Sequence, residues 1–222
     1  MATIYKEGSK GEGVKTIQTA LHLIPDGIFG RLTKEAVMSF QRQNGLVADG
    51  IVGPATMEKL LASFGGDVPL KKSRRLITDI VVHCTASKEG ISYTADDIRR
   101  IHKTQGWSDI GYHYVVRLDG KVELGRDVDV IGAHVSGYNT HSIGVVYVGG
   151  IGANGKAKDT RTEPQKAALL KLLKSLRKIY PNARIRGHRD FSPDKNRNGI
   201  IEPFEWVKDC PCFDAKAEYG NI

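Results

Sequence analysis

Leu76-Ile-Thr-Asp-Ile-Val-Val-His-Cys-Thr85 reads as a buried strand that ends on a histidine. Working outward, the pattern predicts a helix at about 94–105 and strands at Tyr112–Leu118 and Lys121–Gly125. Leu118-Asp-Gly-Lys121 forms the hairpin turn between those two strands. A further buried strand is expected over Ser142–Val148, and a long amphipathic helix over Glu163–Tyr180, begun near Thr162-Glu-Pro. Strands mixed with helices imply an α/β domain over residues 76–222, a sheet with helices packed on it.

Upstream the texture differs. Residues 65–75, Gly-Gly-Asp-Val-Pro-Leu-Lys-Lys-Ser-Arg-Arg, lack periodicity and read as a linker. Residues 1–64 carry a duplicated phrase: Asp26-Gly-Ile-Phe-Gly-Arg-Leu-Thr-Lys-Glu35 recurs 23 residues later as Asp49-Gly-Ile-Val-Gly-Pro-Ala-Thr-Met-Glu58. Each copy is Asp-Gly turn chemistry followed by a helix start, and Pro54 suits a first helical turn, where a missing N–H costs nothing. Helical spacing at Val14, Ile17 and Leu21, at Ala36, Val37 and Phe40, and at Met57, Leu60 and Leu61 predicts three short helices sharing one small core.

Composition bounds the function classes. A chain of 222 residues, 40% apolar and 26% charged, is long enough for two cores, and disorder is not its default. No window is apolar enough for a membrane span, so stable membrane insertion is not expected. The start, Met-Ala-Thr-Ile-Tyr-Lys-Glu-Gly, lacks the apolar run of a secretory signal, which predicts synthesis in the cytoplasm. Cys84, Cys210 and Cys212 are too few for a disulfide framework and are better placed as free thiols available to a metal. The net charge of +8 divides unevenly, seven Lys/Arg against six Asp/Glu in residues 1–64 (+1) and 26 against 19 in the rest (+7). A basic balance suits an anionic partner, but few aromatics and no basic helix stripe argue against nucleic acid.

A zinc site that hydrolyses amides uses three protein ligands and keeps a fourth position open. Seven histidines and three cysteines are candidates, and with no H-E-x-x-H and no C-x-x-C their spacing does not choose among them. His83 and His188 each fall at a strand end.

Two resemblances narrow the choice. Residues 5–63, with the lead-in Gly-Ser-Lys-Gly-Glu-Gly-Val-Lys-Thr-Ile-Gln, both Asp-Gly-x-x-Gly phrases and Phe40-Gln41, resemble the peptidoglycan-binding domain of cell-wall hydrolases. Six further segments occur in the order of the zinc amidases that include phage lysozymes and peptidoglycan-recognition proteins. They are Val82-His-Cys-Thr-Ala-Ser87, Gly111-Tyr-His-Tyr114, Gly132-Ala-His134, Asn139-x-x-Ser-Ile-Gly144, Gly187-His-Arg-Asp190 and Lys208-Asp-Cys-Pro211. This resemblance spans residues 75–216 and implies a mixed central sheet flanked by helices. It implies His83, His188 and Cys210 as zinc ligands, Tyr112 as the active-site tyrosine and Lys208 as the catalytic lysine. Two neutral imidazoles and one thiolate would leave the ion positive enough to acidify a water. Lys208, two residues before Cys210, shares its face in an extended segment and could meet an oxyanion beside the metal. Tyr112 could orient the water or donate to the carbonyl. His134 is expected to line the substrate groove, Cys84 to face away from His83 into the core, and Cys212 to lie near the metal without binding it. His102 is expected to be structural, and His113 to face away from Tyr112.

Asp194-Lys-Asn-Arg-Asn-Gly-Ile-Ile-Glu-Pro-Phe-Glu205 satisfies D-x-[DN]-x-[DN]-G-x5-E, the twelve-residue calcium loop. Asp194, Asn196, Asn198, the Ile200 carbonyl, Glu202 and Glu205 would be its ligands. Lys195 and Arg197 add positive charge, so the affinity would be modest. Against the shorter phage relatives, residues 194–207 read as one inserted unit, and calcium would stiffen the stretch presenting Lys208 and Cys210.

The expected function is hydrolysis of the bond between N-acetylmuramic acid and L-alanine in bacterial peptidoglycan, by a monomer released onto the cell wall. A phage or prophage endolysin fits best. A secreted antibacterial amidase effector and a non-catalytic peptidoglycan-recognition protein are the alternatives, and the latter should lack a zinc ligand. A muropeptide-recycling enzyme would need no wall anchor.

Overall fold

In the computed structural model, which describes residues 3–64 and 68–222, the duplicated phrases are turns between helices α1 (Glu12–Ala20), α2 (Arg31–Gln43) and α3 (Pro54–Ser63). The duplication extends to hydrogen bonds that the sequence reading did not identify. Gln18 Nε2 donates to Asp26 Oδ1 (2.7 Å), the Ile28 carbonyl (3.1 Å) and Thr33 Oγ1 (3.1 Å), while Gln18 Oε1 accepts from the Gly27 amide (2.9 Å). Gln41 repeats this set with Asp49, Ile51, Thr56 and Gly50. Both glutamines are buried, and each clamps one turn against the start of the following helix. Gly27 and Gly50, at φ 78° and 72°, sit in the left-handed region that the turn requires. Val14, Ile17, Val37, Val52 and Leu60 form the small core of this unit, Met1–Phe64.

The second unit, Gly65–Ile222, is built on a five-stranded mixed sheet. Its strands are β1 (Asp79–Cys84), β3 (Tyr114–Val116), β4 (Val122–Leu124), β5 (Ser142–Tyr147) and β7 (Arg184–Gly187), in the order β4-β3-β5-β1-β7. Only the β3–β4 hairpin is antiparallel. β1 lies at the centre of the parallel part, so both its faces are covered and Ile80, Val81 and Val82 are fully buried. Asp79 tolerates that position because Arg186 and Arg184 of the neighbouring strand reach it at 2.8 and 3.2 Å. A short pair, β2 (Ser87–Lys88) with β6 (Gly150–Ile151), continues beyond the main sheet.

Helix α4 (Ala95–Thr104) opens on a capping box between Thr94 and Asp97, and packs Ala95 and Ile98 on Ile110, Val115, Val146 and Val148. Helix α5 (Glu163–Ile179) starts on a second capping box, Thr162 with Gln165, and buries Leu169, Leu172, Leu173 and Leu176. Gln165 also donates to the carbonyls of Val116 and Val148, tying the helix start to the sheet. The chain closes with α6 (Ala215–Tyr219), where Arg161 stacks 3.3 Å above the Phe213 ring and pairs with Asp159 and Glu218.

The expected linker needs revision over part of its length. Residues 65–67 lie outside the described residues, but the end of the stretch is bound into the second unit. The Ser73 amide donates to the Tyr180 hydroxyl (2.7 Å), and Ser73 Oγ donates to the Val128 carbonyl. Arg75 donates to the carbonyls of Val128, Asn139, Thr140 and Ser142. A serine and an arginine look like linker composition, yet here they satisfy carbonyls more than fifty residues away. The predicted strands are also trimmed: Leu76 is exposed and precedes β1, and Tyr112 precedes β3.

Candidate metal centre

Strand register creates the site. β1 and β7 are parallel neighbours with Val82 opposite Gly187, so the next residue of each, His83 and His188, emerges at the same C-terminal edge. Their rings lie 4.8 Å apart. Cys210 arrives from a distant irregular segment, pinned by the Arg189 amide on its carbonyl (2.8 Å) and the Tyr147 hydroxyl on the Pro211 carbonyl (2.7 Å). The Cys84 amide donates to Cys210 Sγ (3.3 Å). One ligand atom each from His83, His188 and Cys210 falls within a 4.8 Å cluster, the one such His/Cys/Asp/Glu group among the described residues.

Electrostatics suit a cation. Burial, then the neighbouring His134 and His188, then Lys208, push His83 well below the usual histidine range. Burial and Lys208 push His188 down to about 4. Both rings are therefore neutral near pH 7 and present lone pairs. His83 Nδ1 faces Cys210 Sγ at 3.7 Å, while its Nε2 lies 3.1 Å from His134 Nδ1. Two imidazoles and a thiol at one point are the donor set of a three-ligand zinc site with an open position.

Tyr112 stands beside the cluster, its ring 5.2 Å from that of His83 and 5.6 Å from that of His102. Burial and the nearby thiols raise its pKa, which keeps the phenol protonated. Lys208 is exposed, and its charge bears on both His83 and His188.

Other expected residues land elsewhere. His134 is 7% exposed and packs between His83, His113 and Ser142. Cys84 is buried with its sulfur 3.7 Å from that of Cys212, and Cys212 Sγ donates to the Gly150 carbonyl, outside the ligand cluster. The Cys210 thiol, and then burial, help push the Cys84 thiol up to about 12. His102 accepts from the Gly111 amide and packs on Trp107. His113 is fully buried, accepts from the Gly144 amide at Nδ1, and bonds the Val130 carbonyl through Nε2.

The 194–205 loop does not assemble as expected for calcium. Glu205 is buried and its carboxylate accepts from the amides of Lys195 (2.6 Å), Asn196 (3.2 Å) and Glu202 (2.9 Å). Asp194 accepts from the amides of Asn198 and Gly199, and Glu202 accepts from the side-chain amides of Asn196 and Asn198. Ile200 is exposed, with its amide on Asn198 Oδ1. The acidic groups are thus spread over backbone and amide donors within the loop and form no common cluster, so the calcium expectation finds no support.

A mixed sheet whose parallel strands end on two imidazoles, joined by a thiol from a remote segment, defines an α/β domain with a candidate three-ligand metal site. The chain belongs to the N-acetylmuramoyl-L-alanine amidase family, which matches residues 73–200; residues 10–60 match the peptidoglycan binding domain family. It is an amide hydrolase of peptidoglycan. Over 141 residues it is 43% identical to the endolysin of Enterobacteria phage K11, covering 64% of this chain and 84% of that protein. Over 145 residues it is 40% identical to the endolysin of Escherichia phage T7, covering 65% and 87%. Among solved structures it is similar to the endolysin amidase LysCS of Clostridium intestinale, with TM-score 0.50 and 26% identity over 70% of this chain and 89% of that one. The family match stops short of Lys208 and Cys210; Cys210 is placed by its position in the cluster with His83 and His188.

Proposed function

We propose that this chain is a zinc-dependent endolysin that releases stem peptides by cleaving the N-acetylmuramic acid–L-alanine amide, with residues 10–60 as its anchor on the wall. The observation that carries the reading is the convergence of His83, His188 and Cys210 within 4.8 Å, with both imidazoles held neutral.

Zinc bound there would supply the Lewis acidity that amide hydrolysis needs at neutral pH. His83 and His188 would hold it through uncharged nitrogens and Cys210 through sulfur, leaving the centre net positive. The Lys208 ammonium is exposed and its charge bears on both His83 and His188, and we assign it to the negative charge that develops on the substrate carbonyl oxygen. Tyr112, protonated at working pH, donates its phenol proton in a hydrogen bond to the same oxygen or to the attacking water. Near-buried Cys84 and Cys212 take no part in these steps.

Digestion of purified peptidoglycan, with the new ends identified by mass spectrometry, tests the reaction. Free L-alanine amino termini should appear with wild type and disappear after chelation, and new reducing sugar ends instead would overturn it. Removing residues 1–70 tests the anchor: the fragment should still cut soluble muropeptides while binding sacculi more weakly. Unchanged sacculus binding would move the anchor out of residues 10–60.

A further inference from the structure

Resting on the zinc reading above, we infer that His134 is a positioning residue that sets the tautomer of His83 through a one-way hydrogen-bond chain ending on the Tyr138 carbonyl. The Tyr138 oxygen can only accept, so Ser142 Oγ, 2.9 Å away, spends its single proton there. Ser142 Oγ also lies 3.3 Å from His134 Nε2, and with its proton committed it must accept from that nitrogen. His134 Nε2 therefore carries the hydrogen, and Nδ1 of the neutral ring is bare. His83 Nε2, 3.1 Å from that bare nitrogen, must in turn donate to it. The remaining His83 nitrogen, Nδ1, is left with a free lone pair, and it faces Cys210 Sγ at 3.7 Å. One backbone carbonyl thus orients two histidines and aims the ligand atom of the first.

The surroundings are shaped for this ring. A Cβ on Gly144 would stand 2.6 Å from His134 Cδ2 and 2.9 Å from its Nε2, and a Cβ on Gly132 would also stand 2.6 Å from Cδ2. Neither position accepts a side chain while the imidazole is in place. Asn139 Oδ1 accepts from the amides of both His134 and Val135, at 2.9 Å each, and fixes the loop that carries the ring. Asn139, Ser142 and Gly144 therefore share one task, to hold His134 against His83. His188 has no such support: no hydrogen bond to its ring is found among the described residues. A metal ligand whose second nitrogen is already committed costs less to order on binding, and loss of such an outer partner weakens affinity by about 10–100-fold.

The test uses the full chain. In the metal-free protein, imidazole ¹⁵N shifts report the tautomers directly. Bare Nδ1 on both His83 and His134 is expected, and an Nδ1–H tautomer on either ring overturns the inference. Zinc affinity is then measured by competition with a chromophoric chelator. His134→Leu should weaken it by about 10–100-fold. His134→Asn, whose amide oxygen can take the place of Nδ1, should recover most of that loss, with Ser142→Ala falling between. General damage to packing would weaken the Leu and Asn variants alike. Equal affinity in wild type and His134→Leu overturns the inference, as does an Asn variant no better than Leu. A wild-type protein that binds no zinc would remove the zinc reading while the tautomer result still decides the hydrogen-bond chain.

Discussion

His83 and Cys210 are 3.7 Å apart and are held by opposite means. His83 lies on the central strand of the parallel sheet, fully buried, with its second nitrogen tied to His134. Cys210 lies in an irregular segment after the 194–205 loop and is held by backbone bonds from Arg189 and Cys84 and by Tyr147 on its neighbour Pro211. One wall of the centre is thus part of the hydrophobic core, and the other is a loop docked against it. The buried wall supplies fixed geometry and neutral nitrogens. The docked wall supplies a thiol that a metal could bind and an exposed lysine, a charge that a core would tolerate poorly.

The sharpest break of this contrast removes one ligand from each wall. His83→Ala and Cys210→Ser should both abolish tight zinc binding and cut turnover by more than ~100-fold, beyond what an outer-shell change costs. Their stabilities should part company. In the metal-free protein His83→Ala leaves His134 Nδ1 buried without its donor and should cost about 1–3 kcal/mol, whereas Cys210→Ser should cost under ~1 kcal/mol. Zinc content, turnover and denaturant melts measure all three, and equal stability losses would erase the distinction between the walls.

Next in size come the groups assigned to the reacting amide. Lys208→Ala should lower kcat by ~10²–10³-fold, as for loss of an oxyanion donor, with zinc content and melting temperature kept because the side chain is exposed. Tyr112→Phe should lower kcat by about 10²-fold, within the range for a positioned proton donor. A Lys208→Ala enzyme of normal kcat would take the lysine out of the reaction.

A pH titration probes the buried side of the second unit more gently. His113 and His188, each pushed down to about 4 chiefly by burial, have ordinary values near 6.5 in the unfolded chain. Between these values the unfolded state binds more protons, so their contribution is complete above about 6.5 and is lost as pH falls towards 4. The metal-free second unit should melt several degrees lower at pH 4.5 than at pH 7. His113→Asn should flatten part of that slope, and an unchanged slope would mean that His113 is not held neutral.

The smallest effect concerns the loop that leads to the docked wall. Millimolar calcium should leave the melting temperature of zinc-loaded protein unchanged, because the loop carboxylates are occupied by Lys195, Asn196, Asn198, Gly199 and Glu202 donors. Glu205→Gln should speed limited proteolysis within 194–205 without changing zinc content. A calcium-dependent rise in melting temperature that Glu205→Gln removes would restore the ion to this loop.

The amino-acid sequence by itself determined the parts whose causes are local. The 23-residue repeat announced the turns, Thr162-Glu-Pro announced a helix start, and apolar runs announced β1 and β5. The candidate ligand set could be picked out only through its resemblance to a family, since ten histidines and cysteines offer the same chemistry one at a time. Tertiary structure decided what depends on a distant partner. Whether His134 faces a groove or a ligand is set by a contact across 51 positions. Whether Ser73 and Arg75 belong to a linker or a domain is set by hydroxyl and carbonyl groups 53 to 107 positions away. Gln18 and Gln41 look like surface residues until the turns fold over them. The Asp194–Glu205 stretch matches a calcium pattern, but a pattern specifies which oxygens are present and not which donors reach them first. A polar side chain advertises its hydrogen-bonding capacity in the sequence; its partner is chosen by the fold.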